Sequence, residues 1–295
     1  MASKSPTVTA VIATYNKSST LRWAIESVLW QSFQDFELWV VGDCCTDDSA
    51  EVVASFNDPR VHWHNLPTNT GYQSEPHNEG IRRAIGRYVA YLNHDDLWLP
   101  NHLEVLVRAA EESGAEFVFT ILEWILFWRD AYADIPSFPD APMPPEASVT
   151  MHRKSVVAEI GYWKHPSQTY AIPRAELFRK AQFMGKTFQL VPYLTVLKFG
   201  GTTGSYAEAG PQAEYAERVR RDPDFAHREL AGLLARAYQE LDRPPTPRRL
   251  RSQMAQTFRR MLIRRRIDPA LMRAWKRPGW HIRKWRQQRG LDPSG

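Results

Sequence analysis

The stretch Tyr88-Val89-Ala90-Tyr91-Leu92-Asn93-His94-Asp95-Asp96-Leu97-Trp98-Leu99-Pro100 decides how this chain folds. Tyr88 to Leu92 is an aromatic and aliphatic run, the composition of a short buried strand. It ends in a polar, acidic corner, Asn93 to Asp96, and Pro100 stands where the first turn of a helix accepts proline. Leu103, Leu106 and Val107 continue at helical spacing. A strand that ends in two carboxylates and leads into a helix puts acid at the carboxyl edge of a sheet, where open α/β sheets bind ligands. A hard divalent cation held there through carboxylate oxygen would neutralise a diphosphate. Acidic residues also simply solvate a turn and favour the helix start that follows, so the pair has to be read with its neighbours.

Toward the amino terminus, Thr7 to Ala13 reads as a strand closed by the polar turn Thr14-Tyr15-Asn16. Ser18, Ser19 and Thr20 can cap the stripe Leu21, Ala24, Ile25, Val28 and Leu29, which has helical spacing. Phe36 to Val41 is the next strand. The turn Gly42 to Asp48 follows, with Thr46 or Asp47 capping a helix through Val52 and Phe56. Arg60 to Asn65 makes a third strand, and Asn69-Thr70-Gly71 a loop before a helix that ends near Gly86. Strands and helices alternating at this spacing predict parallel βαβ units, with Tyr88 to Leu92 as the fourth strand.

These segments carry a resemblance. Val11-Ile12-Ala13-Thr14-Tyr15-Asn16, Ile25 to Ser32, Phe36 to Asp43, Thr46 to Ser49, Asn69-Thr70-Gly71, His77 to Ile81, Ala84 to Tyr88 and Leu92 to Asp96, in this order, resemble family 2 glycosyltransferases. The resemblance covers residues 7 to about 105 and thins after Ala109. It implies a GT-A fold: α/β, with a Rossmann-like, mostly parallel sheet flanked by helices, and here a helical, basic C-terminal extension. It also implies an inverting transfer from a nucleotide sugar, a UDP-sugar first and a GDP- or dTDP-sugar as alternatives, to a glycan or other hydroxyl acceptor, with Mn²⁺ or Mg²⁺ as cofactor. On it, residues 1–205 form the catalytic domain, 7–105 binding the nucleotide sugar and 106–205 the acceptor, and 206–295 form the extension. Residue by residue, it places Thr14 and Tyr15 beside the donor base, Asp43 accepting a hydrogen bond from that base, and His77 with the nucleotide. Asp95 would lie near the ribose or the metal, and Asp96 would be the direct metal ligand. The chain departs from the pattern at Gly42, Cys44-Cys45, Pro76-His77 and Asn93, and the last of these removes an acid beside the metal ligand. Adjacent thiols rarely make a metal site, so packing is the better reading of Cys44 and Cys45.

Further on, Glu116 to Phe119 reads as a strand that Ile121 to Trp128 can prolong, and the proline-rich run from Ile135 to Pro145 is irregular. His152 to Gly161 resembles a family helix ending at glycine before an acceptor loop. An inverting transfer needs a base for the acceptor hydroxyl, which the family supplies at a helix following this element. Pro173-Arg174-Ala175-Glu176 stands there, so Glu176 is the candidate base, with first-turn helix stabilisation as its alternative role. His165 and Glu159 are the further candidates. Phe188 to Phe199 reads as the closing strand, and Glu214 to Leu241 as a helix.

Charge is unevenly spread. Residues 243–295 hold 16 of the 38 Lys and Arg but only Asp268 and Asp292 among the acids, a net +14 against −9 for the rest. Tryptophans 275, 280 and 285 lie among these cations, a pattern that fits a helix on an anionic membrane surface better than a nucleic-acid contact. Adjacent cysteines offer no disulfide framework, and Met1 to Thr7 lacks a signal peptide's apolar segment, so the expected location is cytoplasmic, peripheral at the inner face of a membrane. Two other functions stay open on the sequence: a nucleotidyltransferase, and a non-catalytic relative that binds a glycan or partner.

Overall fold

All seven residues of Val8–Thr14 (β1) are buried, as expected of a strand covered on both faces, and β1 lies inside the sheet. Phe36–Gly42 (β2) and Tyr88–Asn93 (β4) flank it in parallel, and Val61–Asn65 (β3) pairs in parallel with β2 at the edge. Ser18–Leu29 (α1), Ser49–Ala54 (α2) and Ser74–Arg83 (α3) connect these strands. This computed structural model describes residues 5–126, 132–134, 144–200, 210–241, 254, 257–258, 261–262, 265, 267 and 278–287. The strands thus follow the sequence closely, and the helix expected to reach Gly86 stops at Arg83. Gly86 is pressed on β1: a Cβ there would lie 2.6 Å from the Thr9 nitrogen.

Beyond β4 the sheet changes character. Leu97–Trp98 (β5), Phe117–Leu126 (β6), Tyr132–Asp134 (β7), Thr150–Arg153 (β8) and Phe188–Gly200 (β9) complete the order β3-β2-β1-β4-β8-β6-β9-β5, with β7 on β6. β8 runs antiparallel to both β4 and β6, β5 antiparallel to β9, and β6 parallel to β9. The sheet is therefore mixed: the first four strands are parallel, and in the second half the β6–β9 pair is parallel while the other pairs are antiparallel. The helix expected over His152 to Gly161 is corrected in the same place. Met151 and His152 are buried in the sheet as β8, Lys154–Val156 is a 3₁₀ turn, and only Val157–Ile160 (α5) is α-helical, ending at Gly161 with φ +76°.

His102–Ser113 (α4) and Pro173–Phe183 (α6) complete this half, and the single helix expected from Glu214 to Leu241 is two, Gly210–Arg221 (α7) and Phe225–Leu241 (α8). Pro223, between them, cannot supply a backbone N–H to continue the first. Ala216, Val219, Phe225 and Leu233 share a core cluster with Leu97, Ile121, Leu194 and Leu197. Packing therefore runs on past residue 205, where α7 and the start of α8 cover this part of the sheet. Trp280–Gln287 (α9) follows Gly279, whose N–H donates to the Thr169 carbonyl at 2.7 Å. Most of the basic tail lies outside the described residues, and with it the expectation of a membrane-facing helix. No helix among the described residues is long and apolar enough to cross a membrane.

Candidate active site

The carboxyl ends of β1, β2 and β4 meet along one edge, as parallel register requires. Thr14 is paired with Gly42 on one side, and Ala13 with Asn93 on the other. At the end of β1, Thr14 is buried and its hydroxyl has no hydrogen-bond partner, while Tyr15 is half-exposed. Asn16 takes a left-handed φ of 48° and its side-chain oxygen accepts from the Thr46 and Asp47 amides, tying the first turn to the second. At the end of β2, Gly42 has no room for a side chain: a Cβ would lie 2.5 Å from Asn65 Oδ1 and 2.7 Å from the Trp63 ring. That Asn65 instead brackets Cys45, accepting from its N–H at 2.8 Å and donating to its carbonyl at 2.9 Å. The acid missing at position 42 is thus replaced by a packed turn.

Asp43 is buried and holds the loop expected at Asn69-Thr70-Gly71. Its oxygens accept from Thr70 N at 2.9 Å, Thr70 Oγ1 at 2.8 Å and Gly71 N at 3.0 Å. A carboxylate has about four lone-pair sites, so these three bonds leave capacity for one more donor. His165 ties down the same loop from across the molecule. Its Nε2 lies 3.0 Å from the Thr70 carbonyl and its Nδ1 accepts from Ser167 N, which makes it the neutral Nε2–H tautomer.

The corner after β4 is buried and charged. Asp96 is wholly buried, and its Oδ2 accepts from Ser148 Oγ at 2.5 Å, Asn93 Nδ2 at 2.9 Å and Lys198 Nζ at 3.2 Å. Ser148 also takes the Asn93 N–H at 3.1 Å, and its carbonyl accepts from Trp98 Nε1 at 2.7 Å, so the turn is fixed on every side. Asp96 Oδ1 is buried and without a partner. Lys198 comes from β9, where its register neighbour on β6 is Trp124, and its ammonium sits 5.1 Å from that ring's centroid. Nearby, Glu146 forms an ion pair with buried Arg174 at the start of α6. Burial pushes the Asp96 carboxyl up to about 6, against Lys198, which pulls it down, and with Asp95, which adds to the rise. Burial disfavours the Lys198 ammonium, yet Asp96, Glu146 and Asp95 together hold it above its ordinary value. At neutral pH this is a buried ion pair.

Two further expected residues sit differently. His77 is 0% exposed, wedged between Tyr91 and Trp163 with ring centroids 4.9 and 5.0 Å away, and neither ring nitrogen has a partner. Its place is the core beneath α3, so it does not meet a nucleotide at the edge; the apolar packing around the imidazole is what removed it. Glu159 is paired with Lys186 on the surface. Glu176 lies in the first turn of α6 and its Oε1 accepts from Tyr170 N at 2.6 Å and Ala171 N at 3.3 Å. It therefore shapes the loop before α6.

Residues 9–126 match the profile described as glycosyl transferase family 2, a span that begins in β1 and ends in β6. Succinoglycan biosynthesis protein ExoO of Rhizobium meliloti is 38% identical over 120 residues, 41% of this chain and 34% of that protein. Residues 9–126 are thus similar to family 2 glycosyltransferases. The putative teichuronic acid biosynthesis glycosyltransferase TuaG of Bacillus subtilis is 33% identical over 117 residues, 39% of this chain and 46% of that protein. The alignments thus span less than half of these relatives. Among solved structures, S. aureus TarS 1-349 in complex with UDP-GlcNAc superposes with a TM-score of 0.58 at 16% identity, covering 68% of this chain and 60% of that one. At that identity it shows the fold alone, and the fold is GT-A.

A fold of this family implies a divalent cation at Asp96. The oxygen donors around this domain's Asp96 fit one poorly, since of its two oxygens only Oδ1 is without a partner. Such a cation takes six or more oxygens, some of them from water or phosphate, and here Asn93 stands in place of one acid of the corner while Asp95 is kept. Asp96 Oδ2 is already filled by three donors, one of them an ammonium. Among the described residues no group of three His, Cys, Asp or Glu stands close enough to hold a metal. Ser148, Lys198 and the Glu146–Arg174 pair were not legible in the sequence. Lys198 lies 102 residues from Asp96, on a strand whose lysine looks like any surface residue. The only hint was the buried-strand composition around it.

Proposed function

We propose that this chain transfers a sugar from a nucleoside-diphosphate sugar to a hydroxyl acceptor during assembly of a cell-surface polysaccharide, with inversion at the anomeric carbon. The observation that carries this reading is the family 2 match over the same residues that bring Thr14, Asp43, Asp95 and Asp96 to one sheet edge. The names of two relatives, in succinoglycan and teichuronic acid biosynthesis, support the polysaccharide class. A third, the Escherichia coli UDP-Glc:alpha-D-GlcNAc-diphosphoundecaprenol beta-1,3-glucosyltransferase WfgD, is 30% identical over 114 residues and supports a UDP-sugar donor and a lipid-linked acceptor. An acceptor of that kind gives the basic residues beyond 243 a partner in an anionic membrane surface.

In the reaction, the acceptor oxygen attacks the anomeric carbon while the bond from that carbon to the phosphate oxygen breaks. The electron pair leaves with the diphosphate, and the acceptor proton passes to a base. Glu176 is the base we propose. Both of its backbone bonds fall on Oε1, which leaves Oε2 for the acceptor hydroxyl. The test is a screen of UDP-, GDP- and dTDP-sugars with the full chain, reading free nucleoside diphosphate. Release of the diphosphate supports the reading. Pyrophosphate release would replace it with nucleotidyl transfer, and no release with any donor would leave a glycan- or partner-binding relative.

A further inference from the structure

The ammonium beside Asp96 has no counterpart in the residues that the family resemblance singles out. A buried carboxylate is expensive unless its charge is met, and here the neutralising group is covalently part of the chain. Lys198 Nζ stands 3.2 Å from Asp96 Oδ2, its side chain is 12% exposed, and Trp124 packs against the cation at 5.1 Å. The position is fixed from several sides: β9 is hydrogen-bonded to both β6 and β5, and Ser148 and Asn93 clamp the carboxylate.

We propose that Lys198 takes the place of the divalent cation in this site, presenting a fixed positive charge to the donor's diphosphate while Asp96 anchors it. The proposal rests on the nucleotide-sugar reading given above. Three features bear on it. An ammonium has three donors, and Asp96 engages one of them, so donors remain for phosphate oxygen. The acidic groups that would attract a metal are reduced, since Asn93 stands beside Asp96 and Gly42 has no space for a side chain. Of the other acids close to Lys198, Glu146 is matched by Arg174, and Asp95 is the one that still faces the ammonium together with Asp96. A preorganised cation in a site shielded from water stabilises a leaving diphosphate without any reorganisation when the bond breaks.

The test is calorimetric titration of the full chain with UDP, GDP and dTDP, each in EDTA and in Mn²⁺, alongside electron paramagnetic resonance of Mn²⁺ with protein alone. The expected result is the same nucleotide affinity in both conditions and free Mn²⁺ in the resonance spectrum. Lys198→Met should weaken binding in EDTA by about tenfold to a hundredfold, the worth of one charge-assisted contact. Lys198→Arg, which keeps the charge over Asp96 and guards against a folding defect, should retain most of it. Nucleotide binding that needs Mn²⁺, or Mn²⁺ bound by the wild type and lost in Asp96→Asn, would overturn the proposal and leave the donor reading intact. Wild-type nucleotide affinity in a folded Lys198→Met would also overturn it. Failure of every nucleotide to bind in either condition would overturn the donor reading, and this inference with it.

Discussion

Acid should unfold this protein well above the pH at which carboxylates titrate, because three histidines are buried neutral. Burial alone pushes His77 and His102 down to about 3, and His152 goes to about 4 by burial, with the Arg153 carbonyl opposing. His77 has no partner for either ring nitrogen, and His102 donates or accepts only through Nδ1, 2.7 Å from Thr195 Oγ1. His152 is better served, by Tyr91 OH at 2.7 Å and the Arg153 carbonyl at 2.8 Å. The sign follows from linkage. In the unfolded chain each histidine takes up a proton below about 6.5, whereas the folded chain does not until about 3 or 4, so stability is lost as pH falls through that interval. Each pH unit costs about 1.4 kcal/mol per histidine and about 4 kcal/mol for the three together. Asp96 works the other way. Raised to about 6 mainly by burial, it adds stability as pH falls from there toward about 4, cancelling roughly one histidine. At pH 5 the net loss is about 5 kcal/mol, the lower end of a typical domain's whole stability. Glu79, Glu116 and Asp58, held low by their arginine and lysine partners, titrate below this window. Urea unfolding by tryptophan fluorescence at pH 7.5, 6.5, 6.0 and 5.5 measures the slope, and His77→Leu should remove about a third of the histidine contribution. A flat profile across this range, or an unchanged slope in His77→Leu, would refute the reasoning.

Three other outcomes follow from particular contacts. Gly80→Ala would put a Cβ 2.4 Å from Val11 Cγ1, so the melting temperature should fall by the equivalent of about 1–3 kcal/mol of overpacking. Val11→Ala in the same chain should restore most of it, and additive losses would count against the contact. Asp43→Ala leaves the Thr70 and Gly71 amides without their acceptor, costing about 1–3 kcal/mol and speeding hydrogen exchange at those two positions; unchanged exchange would show that the loop stands without it. Glu176→Gln keeps an acceptor oxygen for Tyr170 N, so stability should hold while turnover drops by about 10²–10⁴-fold. Wild-type turnover in that variant would move the base elsewhere.

What the sequence determined by itself was the first half of the fold. Val8–Thr14, Phe36–Gly42 and Tyr88–Asn93 are strands because continuous apolar runs between polar turns have few other ways to be buried, and their order follows from short βα connections. The edge at Thr14, Asp43 and Asp96 was legible for the same reason: parallel strands end together, so local signals at strand ends report a shared place. What only the tertiary structure decided involves partners far apart in the chain. His77 reads as a polar residue on a helix, and only Tyr91 and Trp163, packed from β4 and from the loop after α5, show that it is core. The antiparallel β8 escaped prediction because four residues between β4 and β6 have no periodicity of their own. Lys198 carries no local signal either. Its meaning depends on a strand pairing that sets it beside Trp124 and on a turn 102 residues earlier, because the burial that makes a charge consequential belongs to the assembled sheet.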